Sequence, residues 1–153
     1  MAEKEIVTVR FRIAVKAFIV KNNKLFLIKR EPKDPQSPGV WEIPGGRIEL
    51  GEDPILGLMR EIREETGLYI DVVYPLSVRH FEREDGQIIT MIIFLCKPKD
   101  DFIQMSYEHT NYEWTDFKDI EKKITKFFHK EVRIFKNLGL NKVLGVINAS
   151  EQT

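Results

Sequence analysis

One stretch constrains this chain more than any other. Trp41 to Leu68, WEIPGGRIELGEDPILGLMREIREETGL, reads as a short strand, a glycine loop and one helix. Asp53 suits an N-cap and Pro54 the first helical position, where a missing N–H costs nothing. Gly67 follows the last periodic residue, as a helix-ending glycine does. Between those limits Ile55, Leu58, Met59 and Ile62 recur at helical spacing and predict one buried stripe. At about 100° per residue, Glu61, Glu64 and Glu65 fall together on a neighbouring face.

Three carboxylates on one helical patch repel one another and weaken the helix locally. A hard divalent cation such as Mg²⁺, which takes oxygen ligands, would remove that repulsion. Arg60, one helical turn before Glu64, can hold that carboxylate in one orientation. Taken alone, the segment reads more readily as a solvated acidic face. The residues around it tip the balance. Gly46, Glu52, Arg60, Glu61, Ile62, Glu64, Glu65, Gly67 and Leu68 resemble the Nudix box at every position that the box specifies. Each residue type makes up only a small share of ordinary sequences, so a chance match at all these places is remote. The chain is similar to the Nudix hydrolase family, of MutT-like type, directly over Gly46 to Leu68 and more loosely over most of its length.

That resemblance implies an α/β fold, an α/β/α sandwich with a mixed β-sheet, and hydrolysis of the pyrophosphate linkage in nucleoside diphosphate derivatives with Mg²⁺ or Mn²⁺. It makes Glu64 and Glu65 the firmest metal ligands, with Glu61 a further ligand or the group that orients water. Gly45 is expected to add its backbone carbonyl, since glycine lets the main chain come close. Gly46, Glu52 and Arg60 are expected to support the site, Arg60 standing with Glu61, Glu64 and Glu108 in the catalytic set. Glu52 is also readable as a first-turn acid favoured by the helix dipole, and the two glycines as a tight turn.

A further carboxylate is expected from outside the box. Glu108-His109-Thr110-Asn111-Tyr112-Glu113-Trp114 resembles the EHxxYxW segment of Nudix enzymes acting on nucleoside triphosphates and dinucleoside polyphosphates. There a loop Glu faces the metals as general base. Glu108 takes that role here, with Glu113 as second choice; without the box Glu108 would be an ordinary loop acid. His109 reads as a satisfied surface histidine rather than a proton carrier. Pro44-Gly45-Gly46 resembles the triphosphate and ADP-ribose members more than the PKG form, so ADP-ribose or another nucleotide sugar is the alternative substrate. Arg30 and Arg79 are candidates to pair with phosphates, and Tyr112 to stack on a base. Lys29, Tyr107 and Phe81 are weaker candidates of the same kinds, and solvated charge or ordinary packing is the competing reading for all of them.

The rest of the chain agrees with one small domain, residues 1–153. Lys plus Arg number 24 against 24 Asp plus Glu, a formal net charge of zero, so no long-range field favours nucleic acid or an anionic membrane. With no basic stripe, RNA decapping is disfavoured. MAEKEIVTVR lacks a signal-peptide h-region, and no apolar run approaches membrane-span length. Cys96, alone in an apolar strand pattern, reads as a buried reduced thiol. A cytoplasmic protein with a nucleotide as partner is expected, and a homodimer stays open. A Nudix-like domain whose acidic set has decayed can serve as a nucleotide-sensing or protein-binding module; here the set is complete, which points to an enzyme.

In chain order, Ile6 to Val20 suits strands entering a buried sheet. Asn22-Asn23 is a turn and Lys24 to Arg30 a second strand. Pro32, Pro35, Pro38 and Gly39 make residues 31–40 a loop at the edge of the expected substrate pocket. Ile70 to Arg83 and Gln87 to Lys97 read as strands joined at Asp85-Gly86, the second central to the sheet, with a polar turn from Lys97 to Asp101. Tyr112 to Thr115 is a short strand with Asp116 as a cap. Phe117 to Leu138 keeps helical spacing as one helix closed by Gly139. The final ASEQT is expected to fray.

Overall fold

The computed structural model describes residues 10–150, with side chains up to residue 145. Its core begins with two strands buried on both faces. β1 (Phe11–Lys21) sends Ala14, Phe18 and Val20 into one apolar cluster and Val15, Ala17 and Ile19 into another, the two-residue period of a pleated strand. β2 (Lys24–Arg30) repeats this, Leu25 and Leu27 facing one way, Phe26 and Ile28 the other. Asn22 and Asn23 join them at φ of 49° and 57°, a left-handed conformation that Asn tolerates.

The sheet is mixed. β5 (Ile70–Glu82) and β6 (Ile88–Pro98) pair antiparallel across the Asp85-Gly86 turn, and β6 runs parallel to β1. The order is β3-β2-β1-β6-β5, with β3 being Trp41–Glu42. β4 (Gly45–Arg47) lies on β1, and β7 (His109–Asp116) on β2. α1 (Pro54–Thr66) covers the cluster of Val15, Phe26 and Ile28 with Leu58 and Ile62. On the other face lie α2 (Ile120–Lys123), α3 (His129–Asn137) and α4 (Leu140–Ser150), which place Ile120, Val132, Phe135, Leu140 and Leu144 against Phe18, Leu27 and Leu95. The result is the expected α/β/α sandwich.

Several local expectations are corrected. Phe117 to Leu138 is not one helix. α2 stops at Ile124 and Thr125, whose ψ of 144° and 142° are extended. The Thr125 N–H donates to the Trp41 carbonyl at 2.9 Å, so the edge strand β3 competes for a backbone group that a continuous helix would use. A 3₁₀ turn, Lys126–Phe128, then leads into α3. Gly139, at φ 61°, does end α3, and the unexpected α4 follows it. Asp119, not Asp116, precedes α2; Asp116 ends β7 and accepts the Asp119 N–H through its carbonyl at 3.0 Å.

Within α1, Ile55 is 42% exposed. The segment that precedes the helix folds onto Gly57 instead, where a β-carbon would stand 2.8 Å from Ile48 and 2.7 Å from Glu52. β1 starts at Phe11, and the first residues of the strand expected from Ile6, as far as Val9, lie outside the described residues. β6 continues through Pro98, and β7 begins at His109 rather than Tyr112. Ala149 and Ser150 belong to α4 rather than to a frayed end, while 151–153 lie outside the described residues. Cys96 is fully buried and free, its thiol pushed up by burial. No helix among the described residues is long and apolar enough to cross a membrane.

Candidate functional site

The glycine loop bridges two strands of the sheet. Glu42 of β3 pairs with Ile28 of β2, while Gly45 of β4 pairs with Lys16 of β1. Between them the Ala17 N–H donates to the Pro44 carbonyl at 2.9 Å. Gly45 has φ 142°, and a β-carbon there would stand 2.1 Å from the Val15 carbonyl oxygen and 2.7 Å from Lys16 Cα. Its N–H donates to Glu65 Oε2 at 3.0 Å. A β-carbon on Gly46 would stand 2.6 Å from Glu61 Oε2. These glycines therefore answer close approach, by β1 in one case and by a carboxylate in the other, beyond any turn requirement.

The box helix is capped at both ends. Asp53 Oδ1 accepts the Ile55 and Leu56 N–H groups at 2.9 and 3.0 Å, and Gly67, at φ 76°, donates to the Arg63 carbonyl at 2.9 Å. Glu52 precedes the cap and is not a first-turn acid. Arg60 grips it at two points, Nε to Oε2 at 2.8 Å and Nη2 to Oε1 at 2.9 Å, the planar fork geometry that makes Arg–carboxylate pairs directional. With the Glu49 N–H also donating, the Glu52 carboxyl is held down at about 2. Arg60 Nη1 lies 3.2 Å from both Glu61 Oε1 and Glu64 Oε2.

Glu65 is buried, and desolvation pushes its carboxyl up to about 8, against the pull of the Lys16 charge and the Gly45 N–H. Burial also raises Glu61, with the Arg60 charge opposing it and the Glu64 charge adding to it. Glu64, its side chain 61% exposed, faces solvent. Among the described residues no three His, Cys, Asp or Glu side chains converge closely enough to hold a metal ion, and Arg60 occupies the space between Glu61 and Glu64. The donor chemistry nonetheless fits a hard divalent cation: carboxylate oxygens and a glycine carbonyl, without Cys or His. Desolvation disfavours the ionised form of buried Glu65, and such a cation would favour it.

The loop that carries Glu108 is tied to the same helix. Gln104 N–H donates to the Thr66 carbonyl at 2.8 Å and Ser106 N–H to the Glu65 carbonyl at 2.9 Å, taking up carbonyls that a helix end leaves free. Glu108 lies two residues on, exposed, its carbonyl accepting the Glu31 N–H at 3.3 Å. Glu113 does not reach this face. It pairs with Leu27, whose side chain points to the α3 layer, and it is bound by Lys123 and by Thr115 Oγ1. The second choice for a base is thereby corrected. His109 is not a surface residue: it is 8% exposed, opposite Arg30, with a buried Nδ1 that lacks a partner.

Arg30 donates to Glu42 at 3.0 Å and to Asp34 at 3.2 Å, so it sits beside the box loop. Arg79 goes elsewhere. Its guanidinium meets the fully buried Glu131 of α3 at 2.8 and 3.1 Å and the Phe127 carbonyl at 3.0 Å, in the layer opposite α1; its expected role at a phosphate is corrected. Phe81 packs edge-on against Phe127 in that layer. Tyr112 stacks on Phe26 with centroids 5.7 Å apart and keeps 40% of its surface exposed, while Tyr107 is exposed and Lys29 lies over Trp41.

Sequence reasoning passed over two buried charges here. Lys16 is a lone cation inside the apolar run from Ile13 to Val20, and Glu42 stands between Trp41 and Ile43. A single charge breaking an apolar strand was the signal available for both, since such charges are rarely buried without a partner.

Comparison with known proteins bears on the family and the fold. A NUDIX domain profile matches residues 10–137. The chain is 26% identical over 158 residues to Nudix hydrolase 6 of Arabidopsis thaliana, covering 93% of this chain and 56% of that protein. It is 39% identical over 85 residues to an ADP-ribose pyrophosphatase of Methanocaldococcus jannaschii, covering 54% and 49% respectively. The chain thus spans about half the length of these two relatives. Among solved structures, a MutT protein from Methanosarcina mazei Go1 shares the fold with a TM-score of 0.75 at 24% identity, covering 84% of this chain and 95% of that one.

Proposed function

Because the chain belongs to the Nudix hydrolase family, we propose that it is a Mg²⁺-dependent hydrolase of the pyrophosphate linkage in nucleoside diphosphate derivatives, with nucleoside triphosphates or dinucleoside polyphosphates as substrates. The observation that carries this reading is the box helix itself, where Arg60 is held by Glu52 at two points and reaches Glu61 and Glu64, while Glu65 accepts the Gly45 N–H of the glycine loop. Glu61, Glu64, Glu65 and the Gly45 carbonyl would hold Mg²⁺ or Mn²⁺. When bound, such a cation offsets charge on phosphate oxygens and lowers the pKa of water.

The chain's own residues do the rest. Arg60 fixes Glu52 and orients Glu61 and Glu64. The Gly45 N–H holds one oxygen of Glu65. Glu108, on a loop referenced to α1 through the Glu65 carbonyl, presents an exposed carboxylate able to take a proton from the attacking water. Arg30 and Tyr112 stand on β2 and its partner β7 as candidates for the phosphate and the base. The loops at 31–40 and 99–108 set which group lies beyond the diphosphate, since loops carry selectivity on a fixed scaffold.

A nucleoside triphosphate should yield the monophosphate and pyrophosphate, and a dinucleoside polyphosphate two nucleotides. Monophosphates, which lack the second phosphate, should stay intact. Purified protein incubated with Mg²⁺ and a nucleotide panel in ¹⁸O-labelled water, with products read by mass spectrometry, tests both substrate and attacked phosphorus. Full activity after exhaustive EDTA treatment, or phosphate release from monophosphates as fast as from the best diphosphate substrate, would end the reading. The 39% identity to an ADP-ribose pyrophosphatase supports a second reading, in which ADP-ribose or another nucleotide sugar leads the same panel.

A further inference from the structure

Lys16 is a cation placed where an ordinary strand would carry an apolar side chain. It sits between Val15 and Ala17 in β1, 7% exposed, in register with Gly45. Its Nζ lies 3.3 Å from the Ile43 carbonyl oxygen, 3.4 Å from that of Gly45 and 3.5 Å from Glu42 Oε1. Glu42 is itself buried and shared with Arg30. The Lys16 charge also acts on buried Glu65, whose oxygen accepts the Gly45 N–H. A buried ammonium is costly to desolvate, and contacts of this length are loose for hydrogen bonds. What they share is oxygen: two carbonyls and nearby carboxylates around one positive charge, the same donors that a hard divalent cation takes.

We propose that Lys16 is the resident counter-ion of the box site, a positioning residue that keeps the Gly45 carbonyl and the Glu42–Glu65 carboxylates in place while no divalent cation is bound, and that weakens the hold on that cation once it arrives. This rests on reading the box carboxylates as a metal site. Two consequences have opposite signs. Without divalent cation, loss of the Lys16 charge leaves buried Glu42 with Arg30 alone and destabilises the fold. With it, loss of a neighbouring like charge tightens binding. Neither is expected of a lysine that only fills space.

The test uses the full chain as wild type and as Lys16→Gln, Lys16→Met, Lys16→Arg and, for an exposed cation, Lys24→Gln. Thermal melts in EDTA and in Mg²⁺ are compared, and Mg²⁺ binding is followed by calorimetry. Gln keeps a donor for the two carbonyls and removes the charge. Lys16→Gln and Lys16→Met should melt lower in EDTA, gain more from Mg²⁺ than wild type, and bind Mg²⁺ on the order of tenfold tighter. Lys16→Arg and Lys24→Gln should match wild type. If Lys16→Met does not fold in either buffer, Lys16→Gln carries the comparison. An equal or smaller gain from Mg²⁺, weaker binding, or a Lys16→Gln chain that Mg²⁺ does not rescue would overturn the proposal while leaving the metal site standing. Absence of Mg²⁺ binding in wild type would remove the metal reading and this one with it.

Discussion

Gly46 lies directly under the Glu61 carboxylate, so that a β-carbon on the glycine would stand 2.6 Å from Oε2. The contact is to the end of a flexible side chain, and Gly46 does not have a positive φ. Gly46→Ala should therefore fold normally while pushing Glu61 aside. Misplacement of a reacting group by about 1 Å costs on the order of 100-fold in rate. Turnover should fall by that order with the melting temperature nearly unchanged, and wild-type turnover in this variant would remove Glu61 from the reaction.

Glu65 gives a pH signature. Its carboxyl is raised from 4.5 to about 8 in the folded chain, so the folded state holds the proton more tightly than the unfolded one. The resulting stability is fully present below 4.5 and is lost as pH rises through about 8. In EDTA, wild type should weaken across that window and Glu65→Gln should not. Glu52, lowered from 4.5 to about 2, has the opposite sign: its contribution is present above 4.5 and disappears as pH falls through about 2. Denaturant melts between pH 4.5 and 8.5 separate the two. Both Glu64→Gln and Glu65→Gln should abolish turnover while stability in EDTA holds or rises, the first because it removes a repelling charge, the second because above about pH 8 it removes a buried one.

Arg60 holds Glu52 through two nitrogens at once, which a lysine ammonium cannot reproduce. Arg60→Lys should keep the charge and lose the orientation of Glu61 and Glu64. We expect kcat to fall about tenfold or more, with little change in circular dichroism. Equal kcat in the two proteins would show that charge alone suffices there.

Arg79 should behave as a structural residue. Glu131 is 0% exposed and accepts from Arg79 and from Ser77. Removing one partner of a buried pair strands the other charge, at a cost of about 3 kcal/mol. Arg79→Met should therefore lower stability in urea by that order and leave KM for the nucleotide unchanged. A raised KM at full stability would return Arg79 to the substrate site.

The box helix was legible in the sequence because its determinants are local. Asp53, Pro54 and Gly67 mark the ends within a few residues, and helical periodicity places the three glutamates without reference to any other element. The Asp85-Gly86 hairpin, the buried run of β1 and the strand β2 were legible for the same reason. The helix expected from Phe117 to Leu138 failed because periodicity cannot see β3, whose Trp41 carbonyl draws the Thr125 N–H out of helical bonding.

The sequence by itself determined that three carboxylates, a glycine loop and a guanidinium share one short segment, since the spacing of residues along a helix follows from backbone geometry alone. Only the tertiary structure decided what stands around them. The strand pairing of β2 with β7 turned Glu113 away toward Lys123, and the α3 layer claimed Arg79 for Glu131. The pairing of β1 with β4 set Lys16 against Gly45. Those outcomes depend on which face a strand presents and on which buried charge finds a partner far along the chain, and a sequence pattern does not record either.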